Sequence, residues 1–394
     1  MRVQLMKTSL KQQLTTLSAI ATSLTALPSH AAVPQNNTTI EVGYSNYIED
    51  DLPKEKVLFG STSRYDIDVS EFKLVAPIGD SNQLNVEYSV DSMSGASPWY
   101  VMDLGDGPIL AMSGATIVDE RKDVLIGWTH YLPDDTLSIA IGNSSEDDYK
   151  ANNIGLSWQH ELNNDNTILS VNHAVSMDDI NASDSDLFVT RPTGMKKRVA
   201  NTGIGITQVI SSVATMQAGI GYESAKGYLS DPYKLASVDG FIVQENRPET
   251  KYASILTAGY RHYFIEAEGA LQADARWYQD SWGIKSSTIE LGWHQSIGST
   301  FSLRPSVRYY RQSAADFFAN TSTAGSKYYS SDSRLSNFKG RSYGLVVSKA
   351  ILGFVFDLGY EKYSSSSDTK DENVMPLGLV DFSLTTLRVK FEFE

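Results

Sequence analysis

Residues 387–394 read Leu387-Arg388-Val389-Lys390-Phe391-Glu392-Phe393-Glu394, apolar and charged residues in strict alternation. Successive side chains of a strand point to opposite faces. One face is therefore Leu387, Val389, Phe391 and Phe393, and the other is Arg388, Lys390, Glu392 and Glu394. Such a strand fits a wall with oil on one side and water on the other. At the end of an exported chain it reads as the closing strand of an outer-membrane β-barrel, with Glu394 added after the usual last aromatic.

The other end of the chain agrees with this reading. Arg2, Lys7 and Lys11 form a positive region with no acid among them. Leu14 to Leu27 is apolar and small, too short to span a bilayer as a helix. Ser29-His30-Ala31 supplies small residues at the two positions that matter for cleavage. Residues 1–31 are expected to be a secretory signal removed between Ala31 and Ala32, leaving 32–394 as the barrel. A buried N-terminal helix is the competing reading. The chain has no cysteine. Disulfides, thiolate metal sites and covalently attached c-type haem are thereby excluded.

Composition narrows the class further. The 394 residues carry a formal net charge of −14, and removing the three cations of residues 1–31 takes it to −17. A nucleic-acid binder needs a basic footprint, so no nucleic-acid partner is expected. Tyr (21) and Gly (28) are abundant and mean hydropathy is −0.25. That value suggests a soluble protein, but half of every barrel strand is polar, so hydropathy misreads this class.

Period-two segments recur along the chain. They cover residues 39–49, 62–77, 83–92, 122–132, 136–144, 150–162, 166–176, 196–210, 213–225, 250–263, 265–280, 283–296, 300–313, 341–350, 353–363 and 378–393. The fold class expected is all-β, a transmembrane antiparallel up-and-down barrel of about sixteen strands. Short connections, such as Pro133-Asp134-Asp135 and Asn163-Asn164-Asp165, alternate with long ones. The long ones are 50–61, 93–121, 145–149, 177–195, 226–249, 314–340 and 364–377, with one tight exception at Asp280-Ser281-Trp282. Residues 263 and 265 are expected to meet almost without a turn. Long extracellular loops and short periplasmic turns are the signature of the class. A soluble sandwich or propeller has no reason to sort its loops by length.

Trp128, Trp158 and Tyr260 each lie two residues before a histidine (His130, His160, His262), and Trp293 directly precedes His294. All four pairs fall just before a short turn. The rings are expected to form the periplasmic girdle, with the histidines as interface residues. Carboxylates are not at ligand spacing from them, which argues against a metal site.

Parity assigns the lumen. Over 265–280, Glu266, Glu268, Gln272, Asp274, Arg276, Tyr278 and Asp280 share the polar face. Over 301–312 the polar face is Arg304, Ser306, Arg308, Tyr310 and Gln312, with Phe301, Leu303, Pro305, Val307 and Tyr309 facing lipid. A wall of both signs either lines a water-filled pore or forms a plugging salt-bridge network. Both remain open at this point.

The connections carry the distinctive motifs: ASPWY (96–100), SEDDYK (145–150), GYLSDPYK (227–234), ENRP (245–248), YQDSWGI (278–284), YYRQSAADF (309–317) and YYSSDSRL (328–335). In this order they resemble an uncharacterised bacterial family of outer-membrane barrels catalogued as a domain of unknown function. The resemblance runs from about Asp91 to Leu335. It implies a Gram-negative outer-membrane barrel, often encoded near a thioredoxin-like protein and a flavin-transferring lipoprotein, and it implies no activity. A periplasmic redox or flavinylated protein is accordingly a candidate partner, beside outer-membrane lipid and the barrel-assembly machinery.

Candidate mouth residues are Asp231, Tyr233, Arg247, Asp280, Arg311, Asp316, Asp332 and Arg334. Asp231, Asp280, Asp316 and Asp332 offer hard oxygens for a divalent cation, and Arg247, Arg311 and Arg334 suit bidentate anions. The competing reading, which is favoured, is that these groups pair with one another and hold the loops over the mouth. No EF-hand spacing and no cofactor motif is present. Ser-His-Asp chemistry needs a histidine near the loops, whereas the histidines gather at the opposite end. The expectation is a non-enzymatic barrel, porin-like or a membrane component of an envelope system, with a loop-constricted mouth. The alternatives are a docking scaffold for a redox protein and an enzyme acting on lipid or glycan.

Overall fold

The computed structural model describes residues 35–113, 117–183 and 190–393. The expected signal segment, 1–31, lies outside the described residues. Among the described residues sixteen strands close one antiparallel barrel. In chain order they are Thr38–Glu49, Asp66–Ile78, Asn82–Gly95, Ile117–Tyr131, Asp135–Ser145, Tyr149–Leu162, Thr167–Ile180, Met195–Ser211, Ala214–Gly227, Thr250–Phe264, Gly269–Asp280, Lys285–Ile297, Phe301–Gln312, Phe338–Ile351, Phe354–Ser366 and Phe382–Phe393. Each pairs with its neighbours in sequence, and the last closes on the first, with Val389 opposite Val42 and Phe393 opposite Thr38. Closure satisfies the backbone of both outer strands, which is what a bilayer demands. No described helix is long and apolar enough to cross a membrane; the spanning elements are strands.

The alternation of Leu387–Phe393 does what the pattern requires. Val389 registers with Val42 on one side and Phe356 on the other, and all three share the outward face. Leu271, Leu291, Val307 and Phe356 likewise face outward, with Val307 directly between Leu291 and Tyr343. Val307 lies halfway along its strand and is 40% exposed in the isolated chain, so its covering is lipid. Val307→Arg is expected to cost about 2–4 kcal/mol in a bilayer. Urea titration of the variant in vesicles checks this, and a midpoint equal to the parent's would mean the face is misassigned.

The turn end is tight because the sequence supplies residues that tolerate positive φ. Asn163, Asn164 and Asp165 sit at φ 56°, 53° and 64° in succession, a region which Asn and Asp enter at least cost among residues with a Cβ. One expectation fails here. The chain does not pass from residue 263 to 265 without a turn; Ile265 to Glu268 form a four-residue turn, and Glu268 has φ 50°. Ile265-Glu266-Ala267-Glu268 continues the apolar–polar alternation, so periodicity alone carried the strand through it.

The outward rings near this end form the expected girdle. Trp293 pairs in register with Leu271. The Trp158 indole N–H donates to Asp135 Oδ1 (2.7 Å) and its ring stacks on His160 at 5.7 Å. His130 shares a 2.8 Å hydrogen bond with Asn82, and His262 one of 3.0 Å with the Tyr260 hydroxyl. His294 departs from the expectation, because it follows outward Trp293 and registers with inward Ala270.

Candidate functional site

The opposite end of the barrel carries the long connections, and they fold together. Strands Val57–Phe59, Pro98–Asp103 and Pro108–Met112 form one small sheet; Leu235–Val238, Phe241–Gln244 and Thr321–Ser322 form another. Strand Leu235–Val238 packs against Pro98–Asp103, so the two sheets meet. Two apolar clusters lie within this layer. Ala96, Val101, Leu110 and Met112 pack with Leu52, Val57 and Leu377, which joins the first, second and last long loops. Trp282, Ile284, Ala315, Phe318 and Leu335 pack with Leu229 and Val374, which joins three more connections to the last one. Each such side chain contributes roughly 1.5–3 kcal/mol by leaving water, enough to offset part of the entropy of ordering long loops.

Between the clusters lies an ionic network built from GYLSDPYK, ENRP and YYSSDSRL. Arg247 bridges Glu245 (Nε–Oε1 2.8 Å) and Asp332 (2.8 Å). The Arg334 Nε–H donates to both oxygens of Asp332 (2.9 and 2.8 Å), and its Nη2 reaches Asp231 Oδ2 at 3.2 Å. Asp231 also accepts from the Tyr233 backbone N–H (3.0 Å), and Ser330 Oγ donates to Glu245 (2.6 Å). Lys234 donates its ammonium to the Pro98 carbonyl. Asp231, Glu245 and Asp332 are each no more than 3% exposed. Three carboxylates thus face three cations, with the carboxylates withdrawn from bulk solvent. A small cavity of about 30 Å³, room for a water or two, lies between Arg64, Pro98, Lys234, Asp332 and Arg334.

Burial and charge pull against each other at each group. Burial would raise the Asp332 carboxyl, but Arg334, Lys234 and Arg247 hold it well below the usual carboxylate range. Burial lifts Glu245 despite Arg247, and burial lowers the Lys234 ammonium despite Asp332. Asp332 is therefore the anion on which the network's charge balance most depends.

Tyr233 ties in a further pair of loops. Its hydroxyl donates to Asp148 and accepts from the Ser183 backbone N–H (3.0 Å), with Arg191 lying over its ring at 5.4 Å. Asp148, Asp119 and Glu146 bring one carboxylate oxygen each within 4.8 Å of one another. This grouping of hard oxygens was not read from the sequence, although SEDDYK contains two of its members. The four aspartates read as cation ligands are not gathered. Asp231 and Asp332 are held by arginines, and Asp280 accepts from the N–H groups of Trp282 and Ile284 and the Tyr278 hydroxyl. Asp316 is exposed beside Gly283, where its own N–H donates to the Trp282 carbonyl (2.8 Å).

Of the eight residues expected at the mouth, Asp231, Tyr233, Arg247, Asp332 and Arg334 converge. Asp280 and Asp316 join through the Trp282 turn. Arg311 does not belong: it has the parity of Val307 and Tyr309, faces outward, and its Nε–H donates to Ser287 Oγ (3.0 Å). Glu245 and Lys234 lay inside quoted motifs but their burial was not legible.

Below the lid the lumen-facing residues follow parity. Asp274 takes a two-oxygen grip from Arg261 (2.9 Å each), Arg304 pairs with Asp357 (3.2 Å), and Arg308 lies 4.0 Å from Glu290. The Arg276 guanidinium lies over the Tyr278 ring at 5.3 Å. Arg308 and Glu290 side chains are 54% and 46% exposed although they point inward. That exposure means the lumen is wide enough for water rather than filled by side chains. The opposite arc is lined with small and neutral residues, among them Gly142, Gly155, Gly203 and Gly219.

Among curated proteins nothing matches this sequence significantly. Solved structures similar to it include CdiB from Acinetobacter baumannii (TM-score 0.49, 8% identity, 91% of this chain and 60% of that one). They also include a bacterial polysaccharide outer membrane secretin (0.49, 9%, 91% and 99%) and the siderophore receptor PirA from Pseudomonas aeruginosa (0.42, 10%, 86% and 57%). The chain thus spans about three-fifths of the CdiB and PirA chains it resembles. A family profile described as "Protein of unknown function (DUF3570)" matches residues 12–379, nearly the whole sequence, and the chain belongs to that family.

Proposed function

We propose that the protein is a gated passage in a Gram-negative outer membrane, reached after removal of residues 1–31 and insertion by the barrel-assembly machinery. The observation that supports this most is the contrast between a solvated, mixed-charge lumen and a roof closed by the Asp231–Glu245–Asp332 network. A permanently open porin would leave its mouth polar and wet; the buried apolar clusters and paired charges of these loops support a closed roof instead. A lumen lined with paired charges of both signs favours neither cations nor anions strongly. The reading is non-enzymatic, since the lid's charged groups are engaged with one another.

Solute uptake by proteoliposomes tests the reading. The parent is expected to admit a small neutral sugar, arginine and glutamate slowly, and Asp332→Ala to admit all three faster. If parent and variant, both shown to retain their strands by circular dichroism, pass none of the three, the barrel is a plugged scaffold and the passage reading fails.

A further inference from the structure

The outward face near the lid carries a basic patch that the passage reading does not use. Lys285, Arg311, Lys339, Arg341 and Lys362 come from four adjacent strands and share the lipid-facing parity. Arg311 lies directly opposite Lys339, and Arg341 is the next outward residue along that strand. Like charges directly opposite on one face of a sheet destabilise it unless something between them compensates. Asp368 takes Lys339, and Asp50 takes Lys362 at 2.8 Å. Two of the five cations are thus paired with acids, on a chain whose overall charge is −14. Among the described residues the Arg311 side chain is held by a neutral hydroxyl, Ser287 Oγ, and Arg341 is exposed beside outward Tyr309 and Ser364.

The height of the patch identifies what it meets. From Phe301 to Arg311 the strand rises roughly 33 Å at about 3.3 Å per residue, and a tilt near 40° reduces this to about 25 Å, the height of the apolar band of a barrel. Tyr309 sits one outward step below Arg311, where amphipathic rings mark the headgroup boundary. Lys285, Arg311, Lys339 and Arg341 thus stand at the level of the outer headgroups, on the side of the barrel that faces lipid, and Lys362, in register with Tyr343 lower on the wall, extends its stem upward to Asp50. Planar guanidinium groups spaced across neighbouring strands suit phosphate oxygens.

We infer that Lys285, Arg311, Lys339, Arg341 and Lys362 form a binding surface for the phosphates of a glycolipid headgroup in the outer leaflet. The inference rests on the proposed membrane placement but not on the passage or its lid. A lipid held there also has a route to the lid, because Lys362 is paired with Asp50 and Lys339 with Asp368, both on lid loops.

The test uses the full chain in zwitterionic nanodiscs doped with bisphosphorylated lipid A or with the same glycolipid stripped of phosphate. Native mass spectrometry reads retained lipid, and heat-modifiable gel migration reads the folded barrel. The parent is expected to retain the phosphorylated form preferentially, and each cation removed to lower that retention about fivefold. R311Q/K339Q/R341Q should abolish the preference, and the single R341Q should reduce it if the triple variant does not fold. Equal retention of both glycolipids by the parent, or an unchanged preference in R341Q and the triple variant, would overturn the assignment. Stabilisation by millimolar inorganic phosphate equal to that by the lipid would assign the patch to soluble anions instead. A parent that never reaches the heat-modifiable form would sink the membrane placement, and the lipid surface with it.

Discussion

Asp332→Ala is expected to loosen the whole lid by about 3–5 kcal/mol, the usual cost of stripping one partner from a buried ion pair. The variant removes the carboxylate that Arg247 and Arg334 share and that also faces Lys234. Because Asp332 is held by two arginines from two loops, the loss spreads to residues 228–249 and 313–337 together. Hydrogen exchange of those two segments should accelerate in parallel, while the barrel strands stay protected. Faster exchange in one segment alone would show that the loops are independent. The sign of the pH dependence follows from the depressed carboxyl of Asp332. Its contribution is complete above the ordinary Asp range near pH ~4 and is lost as pH falls below that range through the folded value. Glu245, raised by burial, works in the opposite direction. The parent lid should therefore stay closed through mild acid, and Asp332→Asn should remove this part of its acid response.

Trp282→Ala is expected to cost about 3–5 kcal/mol by emptying a packed aromatic site. Trp282 is 8% exposed, meets Phe317 edge-on at 5.3 Å, and donates its indole N–H to the Thr250 carbonyl (2.9 Å). Its ring also lies 5.6 Å from the Lys251 ammonium. No charge is removed, so the variant separates apolar packing from the ionic network. Protease should cut 313–337 and 367–381 sooner, since Phe317, Leu335 and Val374 share this cluster. An unchanged cleavage rate at both loops would mean that the cluster does not hold the lid. A double variant with Asp332→Ala should cost less than the sum if both act on one cooperative unit.

The barrel was legible because a two-faced wall forces period two on every strand, and tight turns need residues such as Asn163 and Asn164. The turn at Ile265–Glu268 was missed because its residues happen to continue that period. The small sheets of the lid were missed because their strands are only two to six residues long, too short to establish a period. Within the lid, Asp332, Arg334, Arg247, Asp231 and Tyr233 stood out as polar groups in dense motifs. Their partners Glu245 and Lys234 were hidden because burial of a charge depends on loops distant in sequence. Arg311 was misplaced although its parity with Val307 was available; proximity to the loop outweighed the face it occupies. The grouping of Asp119 with Glu146 and Asp148 joins a strand to a loop, and no spacing in the sequence encodes it.

Single-channel recording in planar bilayers tests the central claim most directly, that a solvated barrel is shut by one ordered lid. The parent is expected to show no steady open state, and Asp332→Ala to show discrete openings at the same voltage and salt. A parent that conducts steadily, with a current that Asp332→Ala leaves unchanged, would contradict it.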